Sequence, residues 1–397
     1  MNQPSNRWMV AGSVLKNPLI LRLRPSLKRF MLAYIDKFKI RRIGKDWVLH
    51  SHLPPLNSRA YSLFVKRHLI EKCEGPSHAQ IGLTNACPQK CAYCYNRDRA
   101  GRVMDKETIL RAVRDLQKAG VAWLGWTGGE PLLNKDIVAI TEAASRDSAV
   151  KLFTTGCALT RELGRDLRNA GLFSVCVSLD DWREEVHDRG RGCPGAFRTA
   201  LKAVETFLEI DGLHVGVSAV LSPDTIRNGG TEDFLGFLEG LGIHEAWLSE
   251  VKPSVRSLWT EEAVIQETDR MRLVNLQDEM NRRGRMTVNY LGHFEGREHF
   301  GCNCGRKMVY IDAFGEVSPC VFTPMTFGNV RGRPLEDMLS EMRSCFASGE
   351  GCFVNGNYRL FRKYSAGSLP LNRELSQALA AEAQFGPSAV FYKLFNP

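Results

Sequence analysis

The chain has 397 residues, 44% of them hydrophobic and 24% charged, which fits a folded protein of two or three units at roughly 150 residues each. That composition excludes global disorder, collagen and coiled coil. No apolar run approaches the ~20 residues that span a bilayer. The net charge is +9, but residues 1–72 alone carry 15 Lys/Arg against Asp36, Asp46 and Glu71, a local +12 that leaves −3 for the remainder.

The first unit, residues 1–78, is therefore a basic extension. Trp8 to Leu21 is its most apolar stretch. Lys16, Asn17 and Pro18 break that stretch, and no small-residue cleavage site follows to make it a signal peptide. Leu27, Phe30, Met31, Tyr34 and Phe38 then recur at helical spacing beside Lys28, Arg29, Lys37 and Lys39, predicting a short cationic amphipathic helix. Such a helix packs its apolar face on its own protein or lies on an anionic membrane. The Pro54-Pro55 pair marks a turn.

From residue 79 to 285 short β-rich runs alternate with helical periods. Strands are expected at Gln80–Leu83, Val121–Trp126, Val150–Phe153, Ser174–Ser178, His214–Leu221 and Glu245–Ser249. Helices are expected near 105–118, 135–146, 160–170, 197–209, 231–240 and 261–283. Six β/α units in series predict an α/β fold with a parallel sheet curling toward a barrel or an open wound sheet. Residues 286–365 are richer in Gly, Cys and Asn and read as a small cysteine-rich domain. Residues 366–397 form a tail with one helix, Glu374 to Ala383.

Twelve cysteines in a chain with no export signal raise metal or redox chemistry before disulfides. Cys87, Cys91 and Cys94 form a Cys-x3-Cys-x2-Cys run directly after the first strand. Clustered thiolates select zinc or iron–sulfur clusters. Three of them would hold a [4Fe–4S] cube with one iron open to another ligand, whereas a closed structural zinc site wants a fourth ligand.

This run resembles the loop of the radical S-adenosylmethionine (radical SAM) enzymes, which follows the first strand of a partial (β/α)6 barrel. Gly128-Gly129-Glu130-Pro131 after the second strand matches their second hallmark. The resemblance covers about residues 79–253. It implies Cys87, Cys91 and Cys94 as ligands of a [4Fe–4S] cluster with an open iron. It implies S-adenosylmethionine contacts by Tyr93, Gly128, Gly129, Glu130, Pro131 and Thr155, and by Ser178, Asp180 and Arg191. Thr154-Thr155-Gly156 lacks the Asn that the family often has there. Arg191 reads equally as a SAM-carboxylate ligand or an exposed loop arginine.

Cys302 and the Gly315-x4-Cys320 segment resemble the opening of SPASM and twitch domains, which carry auxiliary clusters. The dense cysteine run of a full SPASM motif is missing. One auxiliary [4Fe–4S] cluster is therefore expected, held by Cys302, Cys320, Cys345 and Cys352, with Cys304 spare or alternate; a structural zinc knuckle is the other reading.

The resemblance implies reductive cleavage of S-adenosylmethionine, a 5′-deoxyadenosyl radical, and hydrogen abstraction from an unactivated carbon. It also implies a flavodoxin- or ferredoxin-like electron donor. Glu250, Tyr290 and His293 are the candidates for acid or base. The basic helix favours a lipid, isoprenoid or other membrane-associated or acidic substrate, with the protein cytoplasmic or peripheral on the inner membrane surface. Nucleic acid is not expected, since no recognition motif accompanies the charge. The alternatives are a maturase of a ribosomal peptide or protein side chain, and a non-enzymatic iron–sulfur electron carrier.

Overall fold

The computed structural model of the protein describes residues 6–365 and 368–395. The first five residues of the basic segment, and residues 366–367 and 396–397 of the tail, lie outside the described residues. Near the amino terminus α1 (Asn6–Lys16) and α2 (Pro25–Ile35) precede a hairpin of β1 (Arg41–Ile43) and β2 (Asp46–Val48). The main sheet follows. Its strands are β3 (His78–Gly82), β4 (Trp123–Thr127), β5 (Ala149–Thr154), β6 (Leu172–Ser178), β7 (His214–Leu221), β8 (Glu245–Glu250) and β9 (Thr287–Tyr290), then β10 (Met308–Ile311) and β11 (Val317–Ser318).

These nine strands lie in the order β11-β10-β3-β4-β5-β6-β7-β8-β9, all parallel except the β10–β11 pair. Helices on the connections bury the sheet, so β4 and β8 are buried at every residue, as parallel strands covered on both faces are. The helix Lys106–Ala119 shows how the sequence specifies such a cover. Asp105 caps it by accepting from the Thr108 amide at 2.9 Å, and Gly120 ends it at φ +118°. Ile109, Ala112, Val113 and Leu116 supply the buried stripe between them.

Each of the six expected strands and each of the six expected helices is present, with ends shifted by one or two residues except that the helix expected from 261 begins at Glu267. Two departures matter. Arg191, for which a loop position is one reading of the sequence, ends a helix, Glu184–Arg191, closed by Gly192 at φ +58°. The alternation also continues past residue 285, because β9 pairs with β8. The cysteine-rich segment then adds β10 to the free edge of β3 in parallel register, Tyr310 opposite Gln80. A buried ion pair fastens this junction: Arg99 Nη1 lies 2.9 Å from Asp312 Oδ2, with both side chains at most 2% exposed.

The basic segment closes the barrel at the amino ends of its strands. The indole of Trp123 donates to the Ser51 carbonyl at 2.8 Å, and Lys151 donates to the Ser51 hydroxyl at 2.6 Å. The Ser51 amide donates to Glu245 at 2.8 Å, and Glu245 also accepts from Asn289. Lys151, Glu245 and Asn289 are fully buried, so each must find its partners inside. Above this polar floor, Tyr34, Phe38 and Leu56 form a second core that includes Phe391 and Phe395 of the C-terminal helix Val390–Phe395.

Burial holds all nine histidines below their ordinary pKa, His50, His68 and His78 to about 4 and His293 and His299 to about 3. The unfolded chain therefore binds more protons than the folded one below pH 6.5. This contribution to stability is complete above that pH and is lost as pH falls toward 4. We expect the unfolding midpoint in denaturant to drop steadily between pH 7 and 5, and a flat profile would contradict the buried neutral state of these rings.

Candidate active site

The loop leaving β3 carries Cys87, Cys91 and Cys94, all free thiols, and all three line one cavity of about 420 Å³. The glycine pair after β4 docks directly on this loop. The Gly129 amide donates to the Thr84 carbonyl at 2.6 Å, and the Glu130 amide donates to the Ala86 carbonyl at 2.7 Å. A Cβ on Gly128 would stand 2.3 Å from the Thr84 oxygen, and one on Gly129 2.2 Å from the Ala86 oxygen. Only glycine permits that approach, and Gly128 additionally has φ +119°.

Beside the thiols, Asp180 gathers three donors: Arg191 Nη2 at 2.7 Å, the Val220 amide at 2.9 Å and the Tyr93 hydroxyl. The Arg191 guanidinium also lies over the Tyr93 ring, 5.8 Å from its centre. Arg191 is buried at the helix end that Gly192 closes, rather than being an exposed loop residue. Its carbonyl accepts from the Lys90 amide at 2.9 Å, which ties it to the cysteine loop, while its Nε has no hydrogen-bond partner among the described residues. Burial pushes the Cys91 thiol pKa up, and Arg191 pulls it back toward the thiolate.

Tyr93, Gly128, Gly129, Thr155, Ser178 and Arg191 face the cavity, whereas Glu130, Pro131 and Asp180 do not line it. Glu130 is fully buried and turned away. Its carboxylate accepts from Thr154 Oγ1, the Leu132 amide and both the amide and hydroxyl of Thr155, at 2.5–3.0 Å. It is a strut joining the loops after β4 and β5. Pro131 opens the short turn that follows it.

The second cysteine group meets the same cavity from the other side. Cys302, Cys304, Cys320 and Cys352 line it, and the first two and Cys352 also border an adjoining cavity of about 450 Å³. Cys345 lines neither. It ends the helix Leu335–Cys345, where its Sγ lies 3.9 Å from the Ser344 hydroxyl. Phe346, the next residue, is the one that turns inward and packs against Gly305. Of the expected set, Cys302, Cys320 and Cys352 line the cavity together with Cys304, while Cys345 lies away from it. Cys304→Ala should lower auxiliary iron in the reconstituted protein, while Cys345→Ala should leave the iron content unchanged. Equal losses in both variants would refute this division.

Of the three acid–base candidates, Glu250 alone lines the cavity. It is paired with buried Lys252 at 2.6 Å, and Lys252 also reaches Glu295 at 2.9 Å. Burial alone would lower the Lys252 pKa, but Cys352, Glu250 and Glu295 together hold it well above the ordinary lysine value. Tyr290 is fully buried outside the cavity wall. His293 faces Lys37 at 3.3 Å, in contact with His299. Lys252 carries no sequence signal beyond following Glu250 by two positions.

Among the described residues no three His, Cys, Asp or Glu groups stand close enough to hold a single metal ion. The fit to a cluster is one of chemistry: three unpaired thiols on one loop, facing a cavity, with a fourth position left to a non-protein ligand.

Residues 81–227 match the radical SAM superfamily, and residues 302–360 match SPASM, an iron–sulfur cluster-binding domain. The chain is 26% identical over 281 residues to a PqqA peptide cyclase of Granulibacter bethesdensis, covering 67% of this chain and 74% of the relative. It is 25% identical over 298 residues to an AdoMet-dependent heme synthase of Methanosarcina barkeri, covering 68% and 84%. Among solved structures, Streptococcus suis SuiB bound to the precursor peptide SuiA has a TM-score of 0.57 at 16% identity over 80% of this chain and 79% of that one. The anSMEcpe structure with bound AdoMet has a TM-score of 0.55 at 16% identity, covering 80% and 96%. At such identities these two likenesses speak for the fold. With both family matches falling on the two cysteine groups, the chain belongs to the radical SAM superfamily: it is an AdoMet-dependent iron–sulfur enzyme with a SPASM-type auxiliary domain.

Proposed function

We propose that this enzyme removes a hydrogen atom from a carbon of a substrate whose body is a long apolar chain, a membrane lipid or isoprenoid. The observation that carries this reading is the aromatic part of the cavity wall. It runs past Trp247 and Phe153 to Phe64, Phe294, Phe391 and Phe395. Such a wall accepts methylene groups and offers a polar headgroup little.

The cations on the cavity wall are already engaged. Arg191 bonds Asp180, Lys252 bonds Glu250 and Glu295, and Lys307 donates to the Cys73 and Gly75 carbonyls. That counts against an acidic group buried inside. When bound, the cluster and AdoMet supply reductive cleavage and the hydrogen-abstracting radical. The chain's own part is to grip the cysteine loop through Gly128, Gly129 and Arg191, and to keep water from the reacting carbon with the aromatic wall. Cys302, Cys304, Cys320 and Cys352 are proposed to hold the auxiliary cluster, and a flavodoxin- or ferredoxin-like protein to deliver the electron.

A second reading has its own support. The PqqA peptide cyclase is among the relatives, and the SuiB structure contains a precursor peptide. These comparisons favour modification of a peptide or protein side chain over a lipid, and an apolar side chain would also suit the aromatic wall. One measurement separates the two. 5′-Deoxyadenosine formation is followed with reduced, reconstituted enzyme and AdoMet, given a lipid extract, an aqueous extract, or an aqueous extract treated with protease. Stimulation by the lipid fraction is expected. Stimulation by the aqueous fraction that protease abolishes would overturn the lipid reading and establish the peptide one.

A further inference from the structure

We propose that α1, the turn after it and the outer side of α2 form a docking surface for an anionic membrane. Seven large apolar side chains are conspicuously exposed among the described residues, and four of them fall within this short stretch: Trp8 at 76%, Leu15 at 83%, Leu21 at 64% and Leu32 at 47%. They are not a spare core face. In α1, Met9 and Ser13 are buried against the protein, while Trp8 and Leu15, seven residues apart, share the opposite side of the helix.

The charge selects the partner. The first thirty-five residues contain six Lys/Arg and no Asp or Glu. Arg22, Arg24 and Arg29 are exposed among the apolar groups. An acid-free basic stretch with protruding Trp and Leu suits a headgroup layer, where cations meet phosphates and apolar tips reach the acyl boundary. No described helix is long and apolar enough to cross a membrane, so the contact is peripheral.

The surface also adjoins the active-site cavity. Met31 on α2 lines the cavity, and its neighbour Leu32 is exposed. A single helix thus separates the membrane face from the apolar chamber, and in this respect the proposal rests on the apolar-chain reading above.

The test is sedimentation of the full holoenzyme with vesicles of phosphatidylcholine plus phosphatidylglycerol, against phosphatidylcholine alone. Binding to the anionic vesicles is expected, weakening with salt. The triple variant W8A/L15A/L21A should bind at least about tenfold less tightly, and each of R22E, R24E and R29E about fivefold less or weaker still. Met271→Ala, an exposed apolar site elsewhere on the chain, should bind as wild type. Wild-type protein left in the supernatant, or a triple variant binding normally, overturns the proposal. So does a wild-type dimer that the triple variant disperses, since the face would then cover a second copy. AdoMet cleavage by the triple variant with detergent-dispersed lipid serves as the folding control. Vesicle binding without lipid-stimulated cleavage would leave the docking face standing and remove the substrate reading. Cleavage stimulated by dispersed lipid without vesicle binding would do the reverse.

Discussion

Cys91→Ala should abolish 5′-deoxyadenosine formation and lower bound iron by about four atoms per chain, the content of one cubane. Losing a supporting partner of a metal ligand typically costs 10–100-fold. Losing a ligand outright should exceed that, so activity should fall by at least roughly a hundredfold. Cys91 is the thiol placed to show it. It is the buried one of the three, it stands 3.9 Å from the Arg191 carbonyl, and Arg191 is the largest influence drawing its pKa back toward the thiolate. The proposed auxiliary site supplies the internal control, because Cys302, Cys304, Cys320 and Cys352 lie on a different segment of the chain. Auxiliary iron should survive the substitution, and total loss would mean that the protein had unfolded. Retained cleavage in a folded Cys91→Ala protein would contradict the placement of the radical chemistry at this loop.

Glu130→Ala should be nearly as damaging by another route. Its carboxylate satisfies two backbone amides, Leu132 and Thr155, and two hydroxyls, all in a site with no solvent. An orphaned buried donor costs about 1–3 kcal/mol, so the two amides alone imply roughly 2–6 kcal/mol. The loops after β4 and β5 both present cavity residues, Gly128, Gly129 and Thr155. Loss of the strut should therefore weaken AdoMet binding as well as stability. Denaturant unfolding and AdoMet titration of the same variant check both. Glu130→Gln keeps one acceptor oxygen and should fall between wild type and alanine. If the alanine variant matches wild type in stability, the strut assignment fails; if only AdoMet binding changes, Glu130 acts on the ligand instead.

The barrel was readable because its strands are short, apolar and separated by capped, amphipathic helices, as Lys106–Ala119 illustrates. Local pattern is enough there. The motifs around Cys87 and Gly128 were readable for a different reason: the backbone approaches that need glycine and the thiols that face the cavity are both consecutive in the chain. What escaped is what depends on tertiary contact. Cys345 has a plausible spacing, yet it lies at a helix end where Phe346 takes the inward position, so Cys304 faces the cavity instead. Glu130 matches a motif, but its side chain points into the protein. Lys252 joins Glu250, two positions before it, to Glu295, which lies far along the chain, and no periodicity announces it. The aromatic wall draws Phe64, Phe294 and Phe391 from three distant segments, so it could not be assembled from any one of them.

The insertion of β10 beside β3 has a consequence for how the protein is made. The strand that launches the cysteine loop is flanked by β4 on one side and by β10, whose residues are emitted some two hundred positions later, on the other. A ribosome working from the amino end thus leaves the leading edge of β3 bare through most of synthesis. An unpaired edge recruits other strands, and parallel pairings across such long separations form late. Until the carboxyl-terminal segment docks, the neighbouring thiols also lack the wall that it contributes. Maturation therefore has a window in which the nascent chain is open both to iron delivery and to edge-to-edge aggregation. The arrival of roughly the last quarter of the polypeptide closes both together.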